Sequence, residues 1–185
     1  MHVETLRREL ETANPTAAAE LQAIRETLRA AALNTRELMQ QLRPVDLGVG
    51  DLPGQLASAA DRFRRDTSID TRFVCDLNDV QIAPRVGREI LRIAQEALVN
   101  VRKHSGARHV LLRFGAEGER WQLTIDDDGK GFEFSGRYSL DELDAERRGP
   151  VVIKERVRGL GGTLTLDSAP GRGSRLEIDV PRSGR

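Results

Sequence analysis

Apolar positions along the chain change their spacing several times, and each change marks an element. Val3, Leu6 and Leu10 fall on one face of a short helical stretch that Asn14-Pro15 interrupts, since proline cannot extend a helix. From Ala17 to Leu42 the repeat is a heptad: Leu21, Leu28 and Leu42 share one position with Thr35, while Ala17, Ile24, Ala31 and Leu38 share the other. Such a seam suits a helical hairpin that dimerises into a four-helix bundle, although an amphipathic helix lying on its own domain carries a similar stripe. Arg43-Pro44 closes the helix, and Gly48, Gly50, Pro53 and Gly54 make a short connection. The expected division is a partial helical hairpin over 1–44, a linker over 45–54 and a folded domain over 55–182.

Within that domain Leu56, Ala59, Ala60 and Phe63 suit one helix face. Thr71, Phe73, Cys75 and Leu77 then alternate with Arg72, Val74 and Asp76 as in a strand. A long helix follows Pro84, with Val86, Ile90, Ile93, Ala94, Ala97, Leu98 and Val101 on its apolar face, and runs out near Ser105-Gly106. Val110 to Phe114 and Trp121 to Ile125 read as a hairpin across the turn-rich Gly115 to Gly118. After a polar, loop-like stretch come a helix from Val151 to Arg158 and two strands, Thr163 to Leu166 and Ser174 to Val180. The class is α+β: a two-layer α/β sandwich in which helices cover one face of a mixed sheet, preceded by a helical hairpin segment.

Length and charge narrow the picture. At 185 residues there is room for one domain and a helical appendage, and 29 basic against 29 acidic residues give no overall field to draw the protein to nucleic acid or an acidic membrane. The single cysteine, Cys75, excludes an intramolecular disulfide and reads as a small buried hydrophobe. No apolar run is long enough to cross a bilayer and Met1 begins no signal-peptide pattern, so a cytoplasmic location is expected, with no direct nucleic-acid or membrane contact.

Three segments put polar groups where packing alone does not ask for them. Glu96, Asn100 and Lys103 are spaced four and three apart on the long helix, an acid, an amide and a cation that together suit Mg²⁺ and phosphate oxygens; a solvated helix face would look much the same. Asp126-Asp127-Asp128-Gly129-Lys130-Gly131 follows directly on a strand, and its alternate glycines allow close backbone approach to a ligand; an ordinary Asp-Gly turn is the plainer alternative. Gly149-Pro150 reads as an N-cap followed by proline at the first helical position, and a helix start is a ready anion site, or simply a well-capped helix.

In this order the segments resemble the GHKL ATPase superfamily, which includes histidine kinases, the ninety-kilodalton heat-shock chaperones, type II topoisomerases and mismatch-repair ATPases. The resemblance runs from Pro53 to Pro181 and is nearest to sensor kinases that partner NarL/LuxR-type response regulators. Gln95 to His104 match the N box and Asp127, Gly129 and Gly131 the Asp-x-Gly-x-Gly box. Gly161, Gly162, Leu164, Pro170, Gly171, Gly173 and Ser174 match the terminal pattern, and Leu42-Arg43-Pro44 the end of the second hairpin helix. The resemblance implies a Bergerat-type pocket for ATP and Mg²⁺ over 55–182. Asp127 would accept from the adenine amino group with Ser174 in support, Asn100 would hold Mg²⁺, Lys103 would meet phosphate, and Glu96 would activate the attacking group. Gly129, Gly131 and Gly149 would line the nucleotide, and Glu133 to Arg148 would be a lid. It also implies a homodimer through the N-terminal helix and a response regulator as partner.

Two departures stand out. The lid box Gly-x-Gly-Leu is here Gly149-Pro150-Val151-Val152, with one glycine missing and one amide lost to proline. The acceptor His-Asp pair is absent: His2 precedes Val3 and lies at most about 18 Å of helix from the loop, while His104 belongs to the N box and His109 to a strand start. The leading expectation is thus an ATP-dependent protein-histidine kinase core lacking its own acceptor in this chain. A catalytically silent ATP-binding regulator and an anti-sigma-type serine kinase are the alternatives.

Overall fold

The computed structural model describes Ile24, residues 51–77 and residues 80–182. Contacts group the chain into two compact units, Met1–Val45 and Asp46–Arg185. The hairpin expected over 1–44, with its heptad seam and His2, lies outside the described residues except for Ile24.

The second unit opens with α1, Leu52–Thr67. Asp51 caps it by accepting the Gly54 amide at 3.0 Å, so the last residues of the expected linker are already helical. Strand β1, Asp70–Cys75, follows, then α2, Pro84–Asn100, which passes into a single π-helical turn, Val101–Ser105. Strands β2, His109–Glu117, and β3, Arg120–Asp127, form a hairpin. Both run further than their apolar alternation alone suggests, leaving only Gly118 and Glu119 as the loop.

The segment from Glu133 to Arg148, expected to be loop-like, is ordered. It holds strand β4, Gly136–Ser139, and helix α3, Leu140–Ala145. Ser139 and Glu142 form a reciprocal capping box at the start of α3, and Leu140 and Leu143 fix the helix in the core. Helix α4, Val151–Gly159, is capped by Pro150, not by Gly149. Gly149 adopts φ 78°, and the Pro150 carbonyl accepts the first intrahelical bond from Lys154 at 3.0 Å. Strands β5, Thr163–Ser168, and β6, Ser174–Pro181, complete the domain.

The six strands lie in the order β1-β2-β3-β6-β5-β4, parallel between β1 and β2 and antiparallel elsewhere. Alternation sends Val110, Leu112 and Phe114 of β2, Trp121, Leu123 and Ile125 of β3, and Leu176, Ile178 and Val180 of β6 to one buried face. Helix α1 packs on β1, α2 on β3 and α4 on β5, and α2 touches α1 and α4. The result is the expected α+β architecture, helices over one face of a mixed sheet. At the hairpin end, Trp121 stacks on Phe114 at 5.6 Å and the Arg182 guanidinium covers its ring at 4.3 Å. Among the described residues no helix is long and apolar enough to cross a membrane.

Candidate functional site

The alternation that builds the core also separates the three consecutive acids at the end of β3. Asp127 continues the inward series of Leu123 and Ile125 and is 6% exposed, whereas Asp126 and Asp128 point the other way. Each acid has its own partner set, which removes the mutual repulsion that the sequence suggests. Asp126 faces Arg175 at 3.8 Å. Asp128 accepts from the Arg108 amide at 2.7 Å, the His109 amide at 2.8 Å and the His109 ring at 2.7 Å. The His109 amide and ring hold its carboxyl down at about 2. Asp127 accepts from the Gly129 amide at 2.9 Å and from the Ser174 hydroxyl at 2.6 Å. A carboxylate has about four lone-pair positions, so capacity remains on a buried group that faces a cavity.

That cavity has a volume of about 390 Å³, within the ordinary range for small-molecule sites. Its walls are Ala97, Val101, Ile125, Ile153, Leu166 and Leu176, and its polar lining is Asn100, Ser105, Asp127 and Ser174, buried or half-buried, with the exposed His104, Lys130 and Glu133. Gly131, Gly149, Pro150 and Phe132 complete the rim.

The loop after β3 is held on both sides. Lys130 donates its amide to the Ser105 carbonyl at 2.8 Å and accepts the Gly171 amide at 2.7 Å. The Ser168 hydroxyl accepts from the Phe132 amide at 2.9 Å and donates to the Gly173 carbonyl at 2.7 Å. Close approach dictates the glycines: a Cβ at Gly173 would sit 1.9 Å from the Asp127 carbonyl oxygen, and one at Gly131 would sit 2.3 Å from that of Ala169.

Of the residues singled out from sequence, Asn100, Asp127, Gly131, Gly149 and Ser174 come together around the cavity. Glu96, one turn before Asn100, is half-buried outside the lining, and Gly129 supports Asp127 from behind the wall. Lys103 is exposed and also lies off the wall. Ala97, Asn100, Val101 and His104 share the cavity side, the i, i+3, i+4, i+7 stripe of a helix, and Lys103 falls off that stripe. Ser168 escaped sequence reasoning although it was detectable, as a serine continuing the inward series of Leu164 and Leu166, 5% exposed.

The model of a family described as histidine kinase-, DNA gyrase B- and HSP90-like ATPases matches residues 86–184. The sensor histidine kinase LiaS of Bacillus subtilis is 35% identical over 146 residues, covering 79% of this chain and 38% of LiaS. The signal transduction histidine-protein kinase/phosphatase DegS of the same organism is 29% identical over 167 residues, covering 89% of this chain and 43% of DegS. The chain thus spans less than half the length of these relatives. The crystal structure of the ATP-binding domain of PrrB from Mycobacterium tuberculosis shares the fold, with a TM-score of 0.58 and 24% identity over 72% of this chain and 96% of that one.

Proposed function

The chain belongs to the histidine kinase-, DNA gyrase B- and HSP90-like ATPase family, and on that premise we propose that it is the kinase core of a two-component sensor. In this reading it binds ATP with Mg²⁺, directs the γ-phosphate to a histidine, and so feeds a response regulator of the NarL/LuxR type. The observation that carries the reading is Asp127, a carboxylate 6% exposed at a largely apolar cavity, held by the Ser174 hydroxyl and the Gly129 amide.

The residues present suit the nucleotide. Apolar walls on either side of Asp127 accept a flat base, and its carboxylate accepts from an exocyclic amino group such as the 6-amino group of adenine. Gly131 and Gly173 let the loops that carry Asp127 close together as no side chain would allow. At the other end Asn100 offers an amide oxygen of the kind Mg²⁺ takes, and Glu96 one turn away positions or deprotonates the attacking group. Lys103 and the amides at the start of α4 neutralise phosphate oxygens, Lys103 from beyond the wall. When bound, Mg²⁺·ATP supplies the transferable phosphoryl group and the cation; the protein supplies position and charge. Dimerisation through the N-terminal helix belongs to the same proposal and rests on the heptad seam.

The test is labelling with γ-³²P-ATP and Mg²⁺, of this chain alone and mixed with a purified sensor kinase that carries the acceptor histidine but an inactivated nucleotide site. Acid-labile, alkali-stable label on that acceptor supports histidine transfer. Acid-stable label would point to a hydroxyl acceptor, and no label in either mixture would contradict kinase activity.

A further inference from the structure

One buried amine gathers the whole segment between the loop after β3 and helix α4. Lys154 is 4% exposed, a place where lysine is found only when paired. Its Nζ donates to the Arg148 carbonyl at 2.6 Å and lies 2.8 Å from Asp144 Oδ1 in α3. The second oxygen of Asp144 is paired with Arg158. Above this group the Arg148 guanidinium lies over the Phe134 ring at 5.5 Å. Phe134 meets Tyr138 of β4 edge-on at 4.9 Å and stacks at 5.2 Å on Phe132 at the cavity rim. The Arg148 carbonyl belongs to the peptide leading into Gly149, and Gly149 and Pro150 line the cavity while Lys154 does not.

We propose that Lys154 is a positioning residue for the lid: by binding Asp144 and the Arg148 carbonyl it keeps residues 139–150 folded before nucleotide arrives, with Gly149 and Pro150 already set at the phosphate end. A lid that must order on binding charges that entropy against affinity, and a latched one does not. The effect therefore falls on ligands that reach the lid and spares those that occupy only the base pocket. The inference rests on the nucleotide reading of the cavity, so its test has one arm that needs no nucleotide.

In that arm, amide hydrogen exchange is followed on the full chain without ligand. Lys154→Met speeds exchange at Arg147 and Arg148 by about tenfold or more, while Leu112 and Leu123 in the central strands stay within about twofold. Asp144→Asn, on the exposed side of the pair, moves the same two amides in the same direction and carries the test if Lys154→Met fails to fold. In the second arm, calorimetry compares adenosine with a non-hydrolysable Mg²⁺·ATP analogue. Lys154→Met weakens the analogue about tenfold and leaves adenosine unchanged, and Lys154→Arg restores most of the loss. Unchanged exchange at Arg147 and Arg148 in both variants, or equal losses for both ligands, overturns the proposal. If wild-type protein binds neither ligand, the nucleotide reading fails and the exchange arm alone decides the latch.

Discussion

Ser174 and Asp127 are direct register partners across β6 and β3, and the Ser174 hydroxyl donates to Asp127 Oδ2 at 2.6 Å. The pair joins two sequence motifs 47 residues apart at one buried point, so neither can be replaced without consequence for the other. Ser174→Ala leaves a carboxylate oxygen short of a donor inside the fold, which costs about 1–3 kcal/mol. Urea denaturation followed by the fluorescence of Trp121, at the far end of β3, measures the loss. A change below about 0.5 kcal/mol would mean that water replaces the hydroxyl.

Gly173 and Gly171 occupy the same turn and both have positive φ, 76° and 75°. A Cβ at Gly171 meets nothing within 4 Å, whereas at Gly173 it meets the Asp127 carbonyl oxygen at 1.9 Å. Gly171→Ala is expected to cost about 1–2 kcal/mol from backbone conformation alone. Gly173→Ala adds displacement of the loop that carries Asp127 and exceeds about 4 kcal/mol. Equal losses in the two variants would show that the crowding is relieved cheaply.

Helix α3 ends in a left-handed turn in which the Arg147 amide donates to the Asp144 carbonyl at 3.0 Å and the Arg148 amide to that of Leu143 at 2.7 Å. That is the Schellman arrangement, with Arg147 at φ 54° in the position glycine usually holds. Positive φ thus falls on residues 147 and 149, two apart as the glycines of the lid box are, so the backbone matches that spacing two residues earlier than the sequence does. Arg147→Gly is expected to stabilise the protein by about 0.5–1 kcal/mol, read as a higher denaturation midpoint. A lower midpoint would contradict the strain.

The Asp128 carboxyl, held at about 2 against an ordinary 3.8, has a folded-state value below its unfolded one. Its contribution is therefore fully present above the unfolded value and is lost as pH falls through about 2. The side chain is 45% exposed, so solvent screening reduces that contribution to about 1 kcal/mol. Asp128→Asn flattens the pH dependence of stability between about pH 4 and 2, as acid titration of the denaturation midpoint would show. An unaltered slope would assign acid sensitivity to other carboxylates.

The fold was legible where apolar spacing runs long enough to fix a period. The apolar face from Val86 on α2 to Val101 in the turn that follows it, and the inward series of β2, β3 and β6, are buried as the spacing implies. Asp127 was legible for the same reason, since two-residue alternation from Leu123 carries it inward. The lid was not: α3 has only Leu140 and Leu143 inside and β4 is four residues long, too little for either period to register. The capping box of Ser139 and Glu142 was the signal that went unread. The stripe of Glu96, Asn100 and Lys103 lies beside the stripe of Ala97, Asn100, Val101 and His104 that faces the cavity, and spacing alone does not say which of the two meets the ligand.

Calorimetric titration with a non-hydrolysable Mg²⁺·ATP analogue, comparing wild type with Asp127→Asn, tests the central claim most directly. Asn keeps the size of the side chain but puts an amide donor where the adenine amino group needs an acceptor. The account predicts saturable binding by the wild-type chain, with an adenine preference over the guanine analogue, and a loss of about a hundredfold or more in the variant. No saturable binding by folded wild type, or equal affinity in wild type and variant, would contradict it.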